Sequence, residues 1–159
     1  MKKNLFIAGL ILLAGCHSNS GNKQTNNEDS TETPGIAYDL TPVWTYEYDS
    51  VSKENKPKKL RQLNIEEASP QTLVSILNTE WPDIQVMLNK TSGDTVFVSI
   101  PESKVLTQQS GSEGATQYMA VATYTLTEMH GIRYVHFDFT EGDHAEPGTY
   151  SRDNFNKGF

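Results

Sequence analysis

The chain contains one cysteine, Cys16, and it stands directly after an apolar run and two small residues. Met1, Lys2 and Lys3 give a positive start, residues 5–13 are uninterruptedly apolar or small, and Ala14 and Gly15 precede the cysteine. A positive segment, a short apolar core and small residues at a cut point are the marks of an export signal, and the apolar run is too short to span a bilayer as a helix. Residues 1–15 are therefore expected to be a signal peptide. If Cys16 is consumed there, the remaining chain has no disulfide, no thiolate metal site and no cysteine nucleophile.

The run Leu12, Leu13, Ala14, Gly15, Cys16 resembles the lipobox of bacterial lipoproteins. That resemblance implies that the Cys16 thiol receives a diacylglycerol, that the mature chain starts there with palmitate-type acylation, and that the protein is tethered to a lipid bilayer in the cell envelope. Were the host Gram-negative, His17 in place of an aspartate after the cysteine would leave no inner-membrane retention signal and direct the protein to the outer membrane. Removing residues 1–15 takes Lys2 and Lys3 away and moves the formal charge from −7 to −9. An acidic body of this kind argues against a nucleic-acid partner.

Residues 16–36 are expected to be the lipidated cysteine and a disordered tether, because Ser, Asn, Gly, Thr, Glu and Asp dominate and nothing apolar is available for a core until Ile36. A flexible coil of about eighteen residues reaches roughly 20–25 Å. Residues 37–159 are then one folded domain. Trp44, Tyr46 and Tyr48 alternate with Val43, Thr45, Glu47 and Asp49, as in a half-buried strand. Residues 50–59 read as a turn or long loop, with a short strand near 60–64. Ser69 before Pro70, with Leu73, Ile76, Leu77 and Trp81 at helical spacing, predicts a helix over 70–80 that Trp81 and Pro82 end.

Ile84, Val86 and Leu88 alternate, as do Val96, Val98 and Ile100, so strands are expected on either side of a loop at 89–94. Residues 113–129 are rich in strand-favouring types, yet Ala115, Met119, Ala122, Leu126 and Met129 form a helical stripe. A helix is expected there, capped by Ser110 or Ser112 and closed by Gly131. In residues 132–139, Val135, Phe137 and Phe139 face one way and Tyr134, His136 and Asp138 the other. Strand, helix, strand over 95–139 predicts a crossover between parallel strands. The tail after Gly142 is expected to wrap the surface. The fold class is α+β, a small mixed sheet packed against two helices.

The strand Val96, Phe97, Val98, Ser99, Ile100, Pro101 with Val105 and Leu106 behind it, the helix ending Tyr124, Thr125, Leu126, Thr127, Glu128, Met129, and the strand at 132–139 followed by Glu141 and Gly142 resemble the GerMN domain of sporulation, spore-germination and other bacterial envelope proteins. The likeness covers a core of about 68–142. It implies a non-catalytic module that helps assemble envelope complexes, without cofactors, and it offers no catalytic residues. Residues 37–64 and the tail from Asp143 lie outside it.

Several clusters invite chemistry, and each has a plainer reading. His136, Asp138, Glu141, Asp143 and His144 carry metal-ligand atoms, but at no standard spacing, and a polar edge accounts for them. The carboxylate pairs, Glu66 with Glu67 and Asp138 with Glu141, lie in no recognisable catalytic motif. Lys53, Lys56, Lys58, Lys59 and Arg61 form a basic stretch that would suit an anionic partner or simply be solvated. Trp44, Tyr46 and Tyr48 would stack sugar rings if exposed and fill the core if not. The reading is a non-enzymatic envelope lipoprotein that acts as a protein-interaction or assembly module, with an unidentified envelope partner. Binding of cell-wall glycan or another saccharide through Trp44, Tyr46 and Tyr48 is the alternative.

Overall fold

The computed structural model describes residues 38–156. The expected signal peptide, Cys16 and the tether lie outside the described residues. A first hairpin pairs β1 (Trp44–Asp49) with β2 (Glu54–Lys59) as a separate two-stranded sheet. Residues 50–59 are thus mostly strand rather than loop, and 60–64 is irregular. Local composition hid β2, since Glu54 to Lys59 is polar and contains Pro57. Cross-strand partners make it a strand: Lys58 meets Glu47 at 2.6 Å, and Pro57 sits on an edge where no ladder donor is needed.

Helix α1 (Pro70–Glu80) forms as the sequence predicts. The Ser69 hydroxyl accepts from the Thr72 amide at 3.2 Å, and Pro70 occupies the first turn. It buries Thr72, Leu73, Ile76 and Leu77. The next hairpin joins β3 (Met87–Ser92) to β4 (Thr95–Ser99) through a two-residue turn, Gly93 and Asp94, with Gly93 at φ 60°. The loop expected at 89–94 is therefore largely strand, with an irregularity between Leu88 and Lys90.

After β4 the chain makes a π-helical turn, Val105–Gln109, and enters α2 (Gly111–Leu126). Ser110 does not cap that helix with its side chain, because its hydroxyl donates to the Val105 carbonyl at 2.8 Å. Gly111, at φ 68°, takes the left-handed conformation that the junction requires. The helix also ends at Leu126, earlier than expected, and Gly131 serves the turn into β5 (Tyr134–Asp138) instead. Strand β5 runs parallel to β4, as the crossover reading predicts, and β6 (Gly148–Tyr150) pairs antiparallel on its far side. The second sheet has the order β3-β4-β5-β6. The tail does more than wrap the surface: it supplies β6 and buries Phe155 in the core.

The architecture is mixed α+β. Val96, Val98, Val135 and Phe137 are fully buried on the inner face of the larger sheet. On α2 every residue from Tyr118 to Leu126 is buried, on all sides of the helix. The reason is position: one flank of α2 packs on β5 and α1, and the other is covered by the first hairpin. Burial all round also explains why this helix looks strand-like in sequence, since Val121, Thr123 and Thr125 must fill space rather than meet water.

Gly142 seats the tail against the π-helical turn. A methyl group at that position would lie 2.7 Å from Thr107 Cβ and 2.9 Å from its carbonyl oxygen, while His144 N donates to that same carbonyl at 3.0 Å. Gly142→Ala is expected to cost roughly 1–3 kcal/mol through overpacking. A urea midpoint equal to that of the parent would show that the tail yields freely.

Candidate binding surfaces

The first hairpin presents Trp44, Tyr46 and Tyr48 on one side, as alternation predicts, but that side is turned onto α2. Trp44 packs edge-on against Tyr124 at 4.7 Å between ring centroids, and Tyr46 is 7% exposed. Only Tyr48, opposite Asn55 and level with the first turn of α2, is well exposed, at 62%. The rings therefore form no common accessible platform.

Trp44 instead belongs to a charged clamp. Glu128, just past α2, accepts from Lys59 Nζ at 2.7 Å, Arg152 Nη2 at 2.7 Å and Trp44 Nε1 at 3.1 Å. The Arg152 guanidinium lies 4.9 Å from the Tyr124 ring and 5.2 Å from the Trp44 ring, and its Nε donates to Thr127 Oγ1 at 2.8 Å. Burial alone would push the Glu128 carboxyl up, yet the hydrogen bonds from Lys59, Arg152 and Trp44 together hold it below the usual range. The clamp ties hairpin, helix and tail together.

Ion pairs also engage four of the five cations of the basic stretch, and the fifth, Lys53, is exposed in the hairpin turn. Lys56 meets Glu54, Lys58 meets Glu47, Lys59 meets Glu128, and Arg61 contacts Glu67 at 3.3 Å while donating to the Asp39 carbonyl at 2.7 Å. Glu67 is buried by this contact and Glu66 is exposed, so the two carboxylates do not act as a pair. The histidines also separate: His136 Nδ1 meets Thr149 Oγ1 at 2.9 Å, and His144 Nδ1 meets Ser112 Oγ at 3.1 Å. No group of three His, Cys, Asp or Glu side chains converges among the described residues.

Two other features remain. One is the outer face of the larger sheet. Its register places Lys90, Phe97, His136 and Thr149 in one row across the strands, with Tyr134 beside Thr95 in the next. Phe97 and His136 are 5.2 Å apart, Lys90 Nζ lies 4.9 Å from the Phe97 ring, and the Arg133 guanidinium lies 5.2 Å from the Tyr134 ring. The rings are half-buried by one another, while Met87, Lys90, Arg133, Asp138 and Thr149 around them are exposed. The helices occupy the opposite face. Sequence pattern held the signal, since Phe97, Tyr134 and His136 alternate with the aliphatic residues on two strands, but only pairing puts them side by side.

The other feature is a cleft of about 460 Å³ between the first hairpin and α2, lined by Tyr46, Asn55, Ser112, Glu113 and Thr116. The Tyr46 hydroxyl is buried there with no hydrogen-bond partner among the described residues, and burial, then the nearby Glu113 and Glu54, push its pKa up.

Comparison with protein-family models, with curated proteins and with solved structures finds no match.

Proposed function

We propose that this protein is a non-enzymatic, lipid-anchored envelope protein of GerMN-like type whose domain binds a protein partner through the outer face of its larger sheet. The observation that carries the reading is the half-buried aromatic row of Phe97 and His136, with Tyr134 beside it, on a face that no helix among the described residues covers and that charged residues rim. Aromatic centres with polar margins are the anatomy of protein interfaces. Four strands of this length span only about 300 Å², against about 800 Å² per partner in a standard interface. The partner therefore continues onto the exposed edge at Met87 and Asn89, or binds transiently.

The test uses a photo-reactive residue placed singly at Phe97, at His136 and, as a control on exposed α1, at Gln71, in the full-length chain in its own cells. One discrete protein adduct from 97 and 136 and none from 71 is expected, and Cys16→Ser should remove both that adduct and palmitate labelling. Equal adducts at all three positions, or none, would sink the docking face. Palmitate labelling that survives Cys16→Ser would sink the anchor. The saccharide alternative loses its stacking platform, because Trp44 packs on Tyr124 and Tyr46 is buried.

A further inference from the structure

Seven large apolar side chains are exposed among the described residues, and four of them, Tyr38, Leu40, Leu60 and Ile65, lie on two short segments that meet. Arg61 joins those segments. Its Nη2 donates to the Asp39 carbonyl at 2.7 Å and to the Thr41 carbonyl at 3.2 Å, and its Nη1 contacts Glu67 at 3.3 Å. Leu60 N donates to the Val43 carbonyl at 2.8 Å, and Asn64 N to Glu67 Oε2 at 3.0 Å. Residues 38–41 and 60–65 therefore come together at the base of the first hairpin, at the opposite end from its turn.

Exposed apolar side chains scattered singly are ordinary, but a group of them marks a contact with protein or membrane. None of these four packs on the core, and Ile65 is 92% exposed. The polar groups beneath them are already paired. Arg61 satisfies the Asp39 and Thr41 carbonyls, Glu67 takes Arg61 and the Asn64 amide, and Asn64 Oδ1 accepts from the Glu66 and Glu67 amides at 3.0 and 2.8 Å. Laying this end against an apolar phase would strand none of these groups, which is what makes such contact affordable.

The position of the group selects its occupant. Tyr38 is the residue at which the described fold continues toward Cys16, about twenty residues earlier in the chain. Whatever path that segment takes, this is the point by which an acylated Cys16 holds the domain, so this end meets the bilayer at a high effective concentration and needs little affinity of its own. We infer that the base of the first hairpin rests on the bilayer that holds Cys16, with Tyr38, Leu40, Leu60 and Ile65 among the lipid headgroups, an inference that rests on the lipid-anchor reading. A tyrosine with an apolar body and a polar tip suits that zone, as do aliphatic side chains inserted to shallow depth. Asp39, Glu66 and Glu67 outnumber Arg61 there, so the surface fits zwitterionic rather than anionic headgroups.

The test uses the full-length acylated chain reconstituted into phosphatidylcholine vesicles, with a polarity-sensitive dye on Ile65→Cys. Acylation of Cys16 leaves the introduced thiol as the only free one. The control carries the dye on Val51→Cys, which is equally apolar and 91% exposed but sits in the hairpin turn, about 20 Å away along six-residue strands. A blue shift of the emission at position 65 and none at position 51 is expected, and Leu60→Asp should lower the ratio of docked to free domains about tenfold. Flotation of the same samples reports the anchor separately. Protein that floats with no shift at position 65 overturns the docking and leaves the anchor standing, whereas protein that does not float overturns both. Equal shifts at 65 and 51, an unchanged shift in Leu60→Asp, or a shift that appears only as protein is crowded in the bilayer, as for contact with a second copy, also overturns the docking.

Discussion

Glu128→Ala is expected to lower stability by about 2–4 kcal/mol at neutral pH, and to lower it far less in acid. Removing one partner from a buried ion cluster commonly costs about 3–5 kcal/mol, because the remaining charges stay desolvated. The Glu128 side chain is 13% exposed, but that of Arg152 is 37% exposed, so water recovers part of the loss and the lower figure applies. The sign with pH follows from the direction of the shift. A carboxyl held below its unfolded value contributes stability above that value, about 4.5, and loses it as pH falls through the folded value. Urea melts of the parent and the variant at pH 7 and pH 3 check this: the gap between them should narrow in acid. A gap unchanged between the two would mean that Glu128 acts through packing alone.

Phe137→Ala and Phe97→Ala should separate the two faces of one sheet. Phe137 is fully buried on β5, edge-on to Tyr150 at 5.9 Å, and its truncation is expected to cost about 3–5 kcal/mol. Phe97 pairs with His136 across the same two strands but points to the open face, and its truncation should stay within about 1 kcal/mol while abolishing the adduct formed from the photo-reactive residue at position 136. Thermal melts and the crosslinking yield, measured on both variants, decide the matter. If Phe97→Ala also unfolds the domain, the outer face is core rather than binding surface.

Helix α1 was readable because its signals are local. Ser69, Pro70 and the apolar spacing of Leu73, Ile76 and Leu77 act within a few residues, and the cap bond to Thr72 forms where they place it. The inner faces of β4 and β5 were readable for the same reason, since a period of two needs no distant partner. Strand β2 and β6 were not. Neither has apolar alternation of its own, and each exists because a neighbouring strand supplies ladder bonds and, for β2, matching charges.

The candidate surfaces divide in the same way. Sequence alone determined the single Cys16 behind its apolar run, the acidic net charge, the α+β class, and which residues alternate on which strand. Tertiary structure decided which of those faces meets water. It turned the Trp44 and Tyr46 side of the first hairpin onto α2, left the Phe97 and His136 side of the larger sheet uncovered by any other described element, and brought Glu128 to Arg152. Periodicity is set by covalent geometry and so is written in every strand. Exposure depends on what packs opposite, and for the first hairpin that partner, α2, lies more than fifty residues further along the chain.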